Sequence, residues 1–199
     1  MDVRQKKQKR VEQEDYPNAQ PGDCFAYIAI KRDTKLHLTH SVGKRIDMVA
    51  DHIIWKLSGI LSPPTFSYPL EIYTDGNRQY LTALLANFRK DCILYGRVIK
   101  HKRMGRLVWR AKEQVLRCPE IKKIDTNAIE NYNGILRERI SRLVRRSKCY
   151  SKQRYKLERH LDIFQSYNNL MKVKRGKTPM ILEGKTSKIW EWDDFFNIR

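Results

Sequence analysis

Between Phe25 and Phe88 the apolar residues change their spacing repeatedly, and that alternation restricts the chain to an architecture mixing strands with helices. Phe25–Ile30 is strand-like, Lys31–Lys35 is a polar turn, and Leu36–Val42 alternates apolar with polar until Gly43, which predicts a β-hairpin. From Asp47 to Leu61, Met48, Val49, Ile53, Ile54, Leu57 and Leu61 recur at helical spacing before Pro63-Pro64 stops the element. A strand, Leu70–Thr74, then runs into Asp75-Gly76-Asn77, and Tyr80, Leu81, Leu84, Leu85 and Phe88 mark one face of a following helix. Cys92–Ile99 reads as another strand, and Lys100–Lys123 as a basic loop with some helix. Ala128 to about Ser147 reads as one long helix. The fold class expected is α/β, a mixed sheet with flanking helices.

Charge is segregated along this pattern. The 199 residues carry 41 Lys and Arg against 22 Asp and Glu, a formal net charge of +19. Residues 11–96 hold 9 cations and 10 anions, whereas residues 97–160 hold 20 and 6. A basic half of this kind suits a polyanion, and nucleic acid is the expected partner. A membrane is not expected: Phe25–Ile30 is the longest apolar run, far too short to span a bilayer, and no basic amphipathic helix also carries a broad apolar face. The first ten residues lack the apolar core of a signal peptide. Cys24, Cys92, Cys118 and Cys149 are widely spaced, and His37, His40, His52, His101 and His160 form no zinc-binding set, so a metal here would be held by oxygen.

Two carboxylates stand out. Asp75 ends a strand just before a helix, where open α/β sheets place functional groups, although Asp-Gly is equally a turn dipeptide. Glu130 opens the basic helix, and its ordinary reading is a capping box with Asn127 as N-cap. At about 100° per residue, Glu130, Gly134, Arg137, Ser141 and Lys148 fall in one row, beside a buried stripe of Ile129, Leu136, Ile140 and Leu143. A carboxylate followed by cations suits a site that holds a divalent ion and tracks phosphates. Arg142, Arg145, Arg146, Lys148 and Lys152, with Lys100, Lys102, Arg103, Arg106 and Arg110 upstream and Trp109, Tyr150 and Tyr155 interleaved, read as a phosphate-binding surface. Gly176-Lys177-Thr178 and Gly184-Lys185-Thr186 resemble the end of a P-loop but lack its first glycine, so no nucleoside-triphosphate site is expected. The aromatic and acidic tail Ile189–Phe196 is expected to dock on its own domain.

Tyr73-Thr74-Asp75-Gly76 with Tyr80, and above all Ala128–Arg137 running into Arg142–Lys152, resemble the DDE transposases of the insertion-sequence-one type. The second block is similar to that family's I-E-x-x-N-x-x-L-R stretch, followed by R-L-x-R-(K/R)-(T/S)-x-x-(F/Y)-S-K, at nearly every position. With the hairpin Gly22–Arg45, the likeness spans residues 4–172. The resemblance implies an RNase H-like fold over residues 23–172, with 1–22 as a polar lead-in and 173–199 as a basic, then aromatic and acidic tail. It also implies metal-dependent DNA strand cleavage and strand transfer with two Mg2+ (or Mn2+) ions, acting on transposon ends and target DNA, in the cytoplasm at the nucleoid and with more than one copy of the chain. Asp75 falls on the second acidic position and Glu130 on the third; Arg137, Arg145, Arg146 and Lys148 fall on the basic helix.

The first acidic position is where the chain departs. The family places it on an opening strand, in an Asp-Glu-aromatic motif shortly before a Lys-rich stretch like Lys6–Arg10. Asp2 has no strand pattern around it, and Asp23 and Asp33 lie at the ends of the hairpin strands. The first strand is therefore expected to be missing or incomplete, leaving a sheet edge open and the chain weakly active or inactive alone. A non-catalytic DNA-binding remnant of a transposase is the alternative, and a basic RNA-binding protein a third.

Overall fold

The computed structural model describes residues 24–144, 151 and 153–197. They form a mixed α/β protein with strands β1 (Phe25–Ile30), β2 (His37–Gly43), β3 (Leu70–Asp75), β4 (Ile93–Arg103) and β5 (Arg106–Leu116). The helices are α1 (Asp47–Ile60), α2 (Gln79–Asn87), α3 (Asn127–Arg139), α4 (Arg154–Ser166), α5 (Pro179–Leu182) and α6 (Trp192–Phe196). Two compact units result, one from the chain up to Lys44 together with Tyr132 onward, the other from Arg45–Asn131. Among the described residues no helix is long and apolar enough to cross a membrane.

In the first unit β1 and β2 pair antiparallel, from Phe25 opposite Gly43 to Ile30 opposite His37. Tyr27, Val42, Tyr132, Leu136, Ile140, Leu157, Leu161 and Phe164 form its apolar core. Strand β2 also buries His37, Thr39, His40 and Ser41, polar groups that need partners once out of water. Asn169 provides two: its Oδ1 accepts from the His37 N–H at 2.9 Å and its Nδ2 donates to the His37 carbonyl at 2.8 Å. Gln165 Nε2 donates to the carbonyls of His37 and Leu38, both at 3.0 Å. The tail docks within this unit, as expected: the Trp190 N–H donates to the Leu170 carbonyl at 3.1 Å, and Trp192 stacks on Tyr167.

In the second unit β3 pairs parallel with β4, and β4 antiparallel with β5, giving a three-stranded mixed sheet. Helix α1 buries Val49, Ala50, Ile53, Ile54 and Leu57 and packs on α2. Ile124, fully buried, lies directly on the backbone of Gly96, where an added Cβ would stand 2.7 Å from its side chain. That close approach, rather than backbone freedom, is why glycine occupies this strand position.

Two expectations need correction. Residues 100–116 are not a loop: β4 continues through Arg103, and β5 carries the chain back. Met104 (φ 49) and Gly105 (φ 79) form the reversal, the pair of left-handed residues that matches the twist of a two-residue hairpin. Nor does one helix run from Ala128 to Ser147. Helix α3 ends at Arg139, Ile140 is extended (φ −111, ψ 97), and Ser141–Leu143 is a single 3₁₀ turn. Ile140 is β-branched and buried, and serine is a weak helix former; together they favour the break over another helical turn. The row from Glu130 through Gly134 therefore reaches Arg137 on the helix, and Ser141 is not part of it.

Candidate acidic site and basic ribbon

Asp75 is the last residue of β3 and is half-exposed. Its Oδ1 accepts from the Asn77 N–H at 3.2 Å, the short side-chain turn that Asp-Gly-Asn favours. The turn passes directly into α2: Asn77 Oδ1 accepts from the Gln79 N–H at 3.3 Å. Arg45 Nη2 stands 3.9 Å from the other Asp75 carboxylate oxygen. Asp75 thus fulfils its turn role while one edge of the carboxylate faces a cation.

Glu130 lies in the first turn of α3, but it is no capping box with Asn127. The Asn127 N–H is satisfied by Asp125 Oδ1 at 3.0 Å, and the Glu130 side chain turns to the sheet instead. Lys100 Nζ lies 2.7 Å from Oε1, Arg110 Nη2 lies 3.4 Å from Oε2, and Thr126 donates its hydroxyl to Oε1. Lys100 and Arg110 are directly opposed on β4 and β5, so the strand register itself builds the pair of cations that holds Glu130. Partial burial pushes the Glu130 pKa up, but hydrogen bonds from Lys100 and Thr126 and the charges of Lys100 and Arg110 outweigh it and hold the carboxyl below its ordinary value. Asp75 pairs with Val98, and Lys100 lies two residues further along β4. Alternate residues share a sheet face, so Asp75 and the Glu130-holding Lys100 occupy the same face, about 7 Å apart along the strand direction.

This donor set does not fit a divalent ion as it stands. Among the described residues no group of three or more His, Cys, Asp and Glu side chains gathers together. Glu130 already neutralises two cations, Asp33 belongs to the other unit, and Asp2 and Asp23 lie outside the described residues.

The expected DNA-binding residues separate into groups. Lys100, Lys102, Arg103, Arg106 and Arg110 share the β4–β5 ribbon. Arg137 is half-buried on α3, and Arg142 donates to Ser151 Oγ at 3.1 Å. Arg145, Arg146, Lys148, Tyr150 and Lys152 lie outside the described residues. Tyr155 is exposed on α4. Trp109 is half-exposed and stacks on its cross-strand partner His101, with centroids 3.9 Å apart and planes within 4°. Sequence reasoning missed Arg45, Thr126 and His101. The available signal was Met104-Gly105 between two runs, the second containing Leu107, Val108 and Trp109, which is a hairpin pattern.

Comparison with protein-family models, curated proteins and solved structures gives no match. The family likeness therefore stands on the quoted residues alone.

Proposed function

We propose that this chain is the catalytic-domain portion of a DDE transposase of the insertion-sequence-one type, RNase H-like in plan and acting on DNA. One observation carries the reading: the two residues on the acidic positions of the resemblance, Asp75 and Glu130, fall in one compact unit, at the carboxyl end of a strand and in the first turn of a helix. The reading calls for Mg2+ or Mn2+ and a third carboxylate from outside the described residues, with more than one copy joining two DNA ends.

The alternative is a DNA binder without catalysis, and it has its own observation: Glu130 is held by Lys100 and Arg110 rather than left free to coordinate. Nicking of supercoiled DNA by the full chain with Mg2+ or Mn2+ separates the two. Cleavage abolished by Asp75→Ala and by Glu130→Ala supports the transposase reading. DNA binding that persists in both variants, with no nicking by the parent chain, supports the non-catalytic reading.

A further inference from the structure

The β4–β5 ribbon outruns the sheet that anchors it. β3 pairs with β4 only from Ile93 to Val98, so among the described residues Ile99–Arg103 and Arg106–Ala111 continue as two strands without a third. The five residues on the β4 side reach about 17 Å. Every residue from His101 to Arg110 is exposed, Met104 at the tip by 97%. A two-stranded ribbon with Leu107, Val108 and Trp109 open to water is marginal as a folded element unless it meets a partner.

The chemistry of the ribbon specifies that partner. No acidic residue occurs between Asp91 and Glu113, while Arg97, Lys100, Lys102, Arg103, Arg106, Arg110 and Lys112 all do. Lys102, Arg103 and Arg106 make no ion pair with any described residue, so their charges are available to phosphates. His101 and Arg103 share one face of β4, which places the pairs His101–Trp109 and Arg103–Arg106 in succession toward the tip. Since His101 covers one side of the Trp109 ring, that side is closed to a nucleic-acid base. Base stacking, the usual means of holding single strands, is thus confined to the other side of the ring. Duplex width suits it better: two strands about 4.8 Å apart, with their side chains, fit the roughly 12 Å major groove of B-DNA. The major groove of duplex RNA is too deep and narrow to admit such an element.

We infer that the Lys100–Lys112 ribbon is a DNA-binding arm that lies in the major groove of duplex DNA, with Met104-Gly105 leading and Arg103 and Arg106 against the phosphates. The choice of DNA as polyanion rests on the function proposed above, whereas the groove and the residues rest on the ribbon itself. Binding of the full chain to a duplex DNA oligonucleotide, followed by anisotropy between about 50 and 200 mM salt, tests it. Arg103→Ala/Arg106→Ala should weaken binding about tenfold or more and lower the slope of log K against log salt by about 1.8, two phosphate contacts' worth. A major-groove ligand should compete with the parent chain and a minor-groove ligand should not. The milder Arg103→Lys/Arg106→Lys variant, with an unchanged circular dichroism spectrum, should keep most of the slope. The inference is overturned by an unchanged slope in the alanine variant, by competition only from the minor-groove ligand, or by tighter binding to single-stranded DNA or duplex RNA at matched salt. Failure of the parent chain to nick DNA, with these binding results intact, removes the catalytic reading and leaves the arm standing.

Discussion

Acid should destabilise the first unit through one buried ring. His37 is 1% exposed, with Nδ1 2.9 Å from the Tyr132 hydroxyl and Nε2 3.3 Å from His40 Nδ1. His40 Nε2 in turn lies 3.2 Å from Asp162, whose carboxylate is half-exposed. Burial, helped by the neighbouring His40, pushes the His37 pKa down to about 3 from its ordinary 6.5. A base with a depressed pKa in the folded state stays neutral there while the unfolded chain takes up a proton. The stability is therefore complete above about pH 6.5 and is lost progressively as pH falls toward about 3. Between pH 6.5 and 5 the loss is about 2 kcal/mol, at 1.36 kcal/mol per pH unit. Urea unfolding of the parent chain and of His37→Gln, each at pH 7.5 and pH 5, isolates the contribution of His37 together with its coupling to His40, because the more distant titrating groups are common to both. The parent should lose about 2 kcal/mol more than the variant over this interval. Equal losses would refute the reasoning, since the buried ring would then have to be protonating in the folded state as readily as in the unfolded one.

Two further substitutions probe the second unit. Gly96→Ala drives a methyl group into the buried Ile124 side chain and should cost about 1–3 kcal/mol in urea unfolding, with part of the loss recovered by adding Ile124→Val; no recovery would mean that the contact is not the cause. Glu130→Gln removes the anion between Lys100 and Arg110 and should tighten DNA binding and steepen its salt dependence, as read by anisotropy titration; weaker binding would mean that Glu130 holds the ribbon in its working form.

The elements legible in the sequence are those whose pattern is local. The β1–β2 hairpin, α1 and the β3-Asp75-α2 junction follow from alternation, helical spacing and a turn dipeptide, and their bounds agree with the expected ones within about two residues. The ribbon escaped because its cations mask the alternation that marks a strand: with both faces in water there is no apolar face to show a period of two. The end of α3 escaped because the helical spacing continues past Arg139 while Ile140 and Ser141 change the backbone. At the acidic site the residue types were legible and their partners were not. Glu130 meets Lys100 and Arg110 across 30 and 20 positions of sequence, and only the antiparallel register of β4 and β5 brings those two cations together.

The side chains that meet β2 have a consequence for self-association. Strands with vacant backbone groups template the addition of further chains. At the start of β2 the His37 N–H and the carbonyls of His37 and Leu38 are already occupied by Asn169 and Gln165. A second molecule reaching that point finds these three groups already paired. Asn169 and Gln165 thereby withhold these three groups from strand addition at this end of the hairpin, using one amide side chain each rather than another strand.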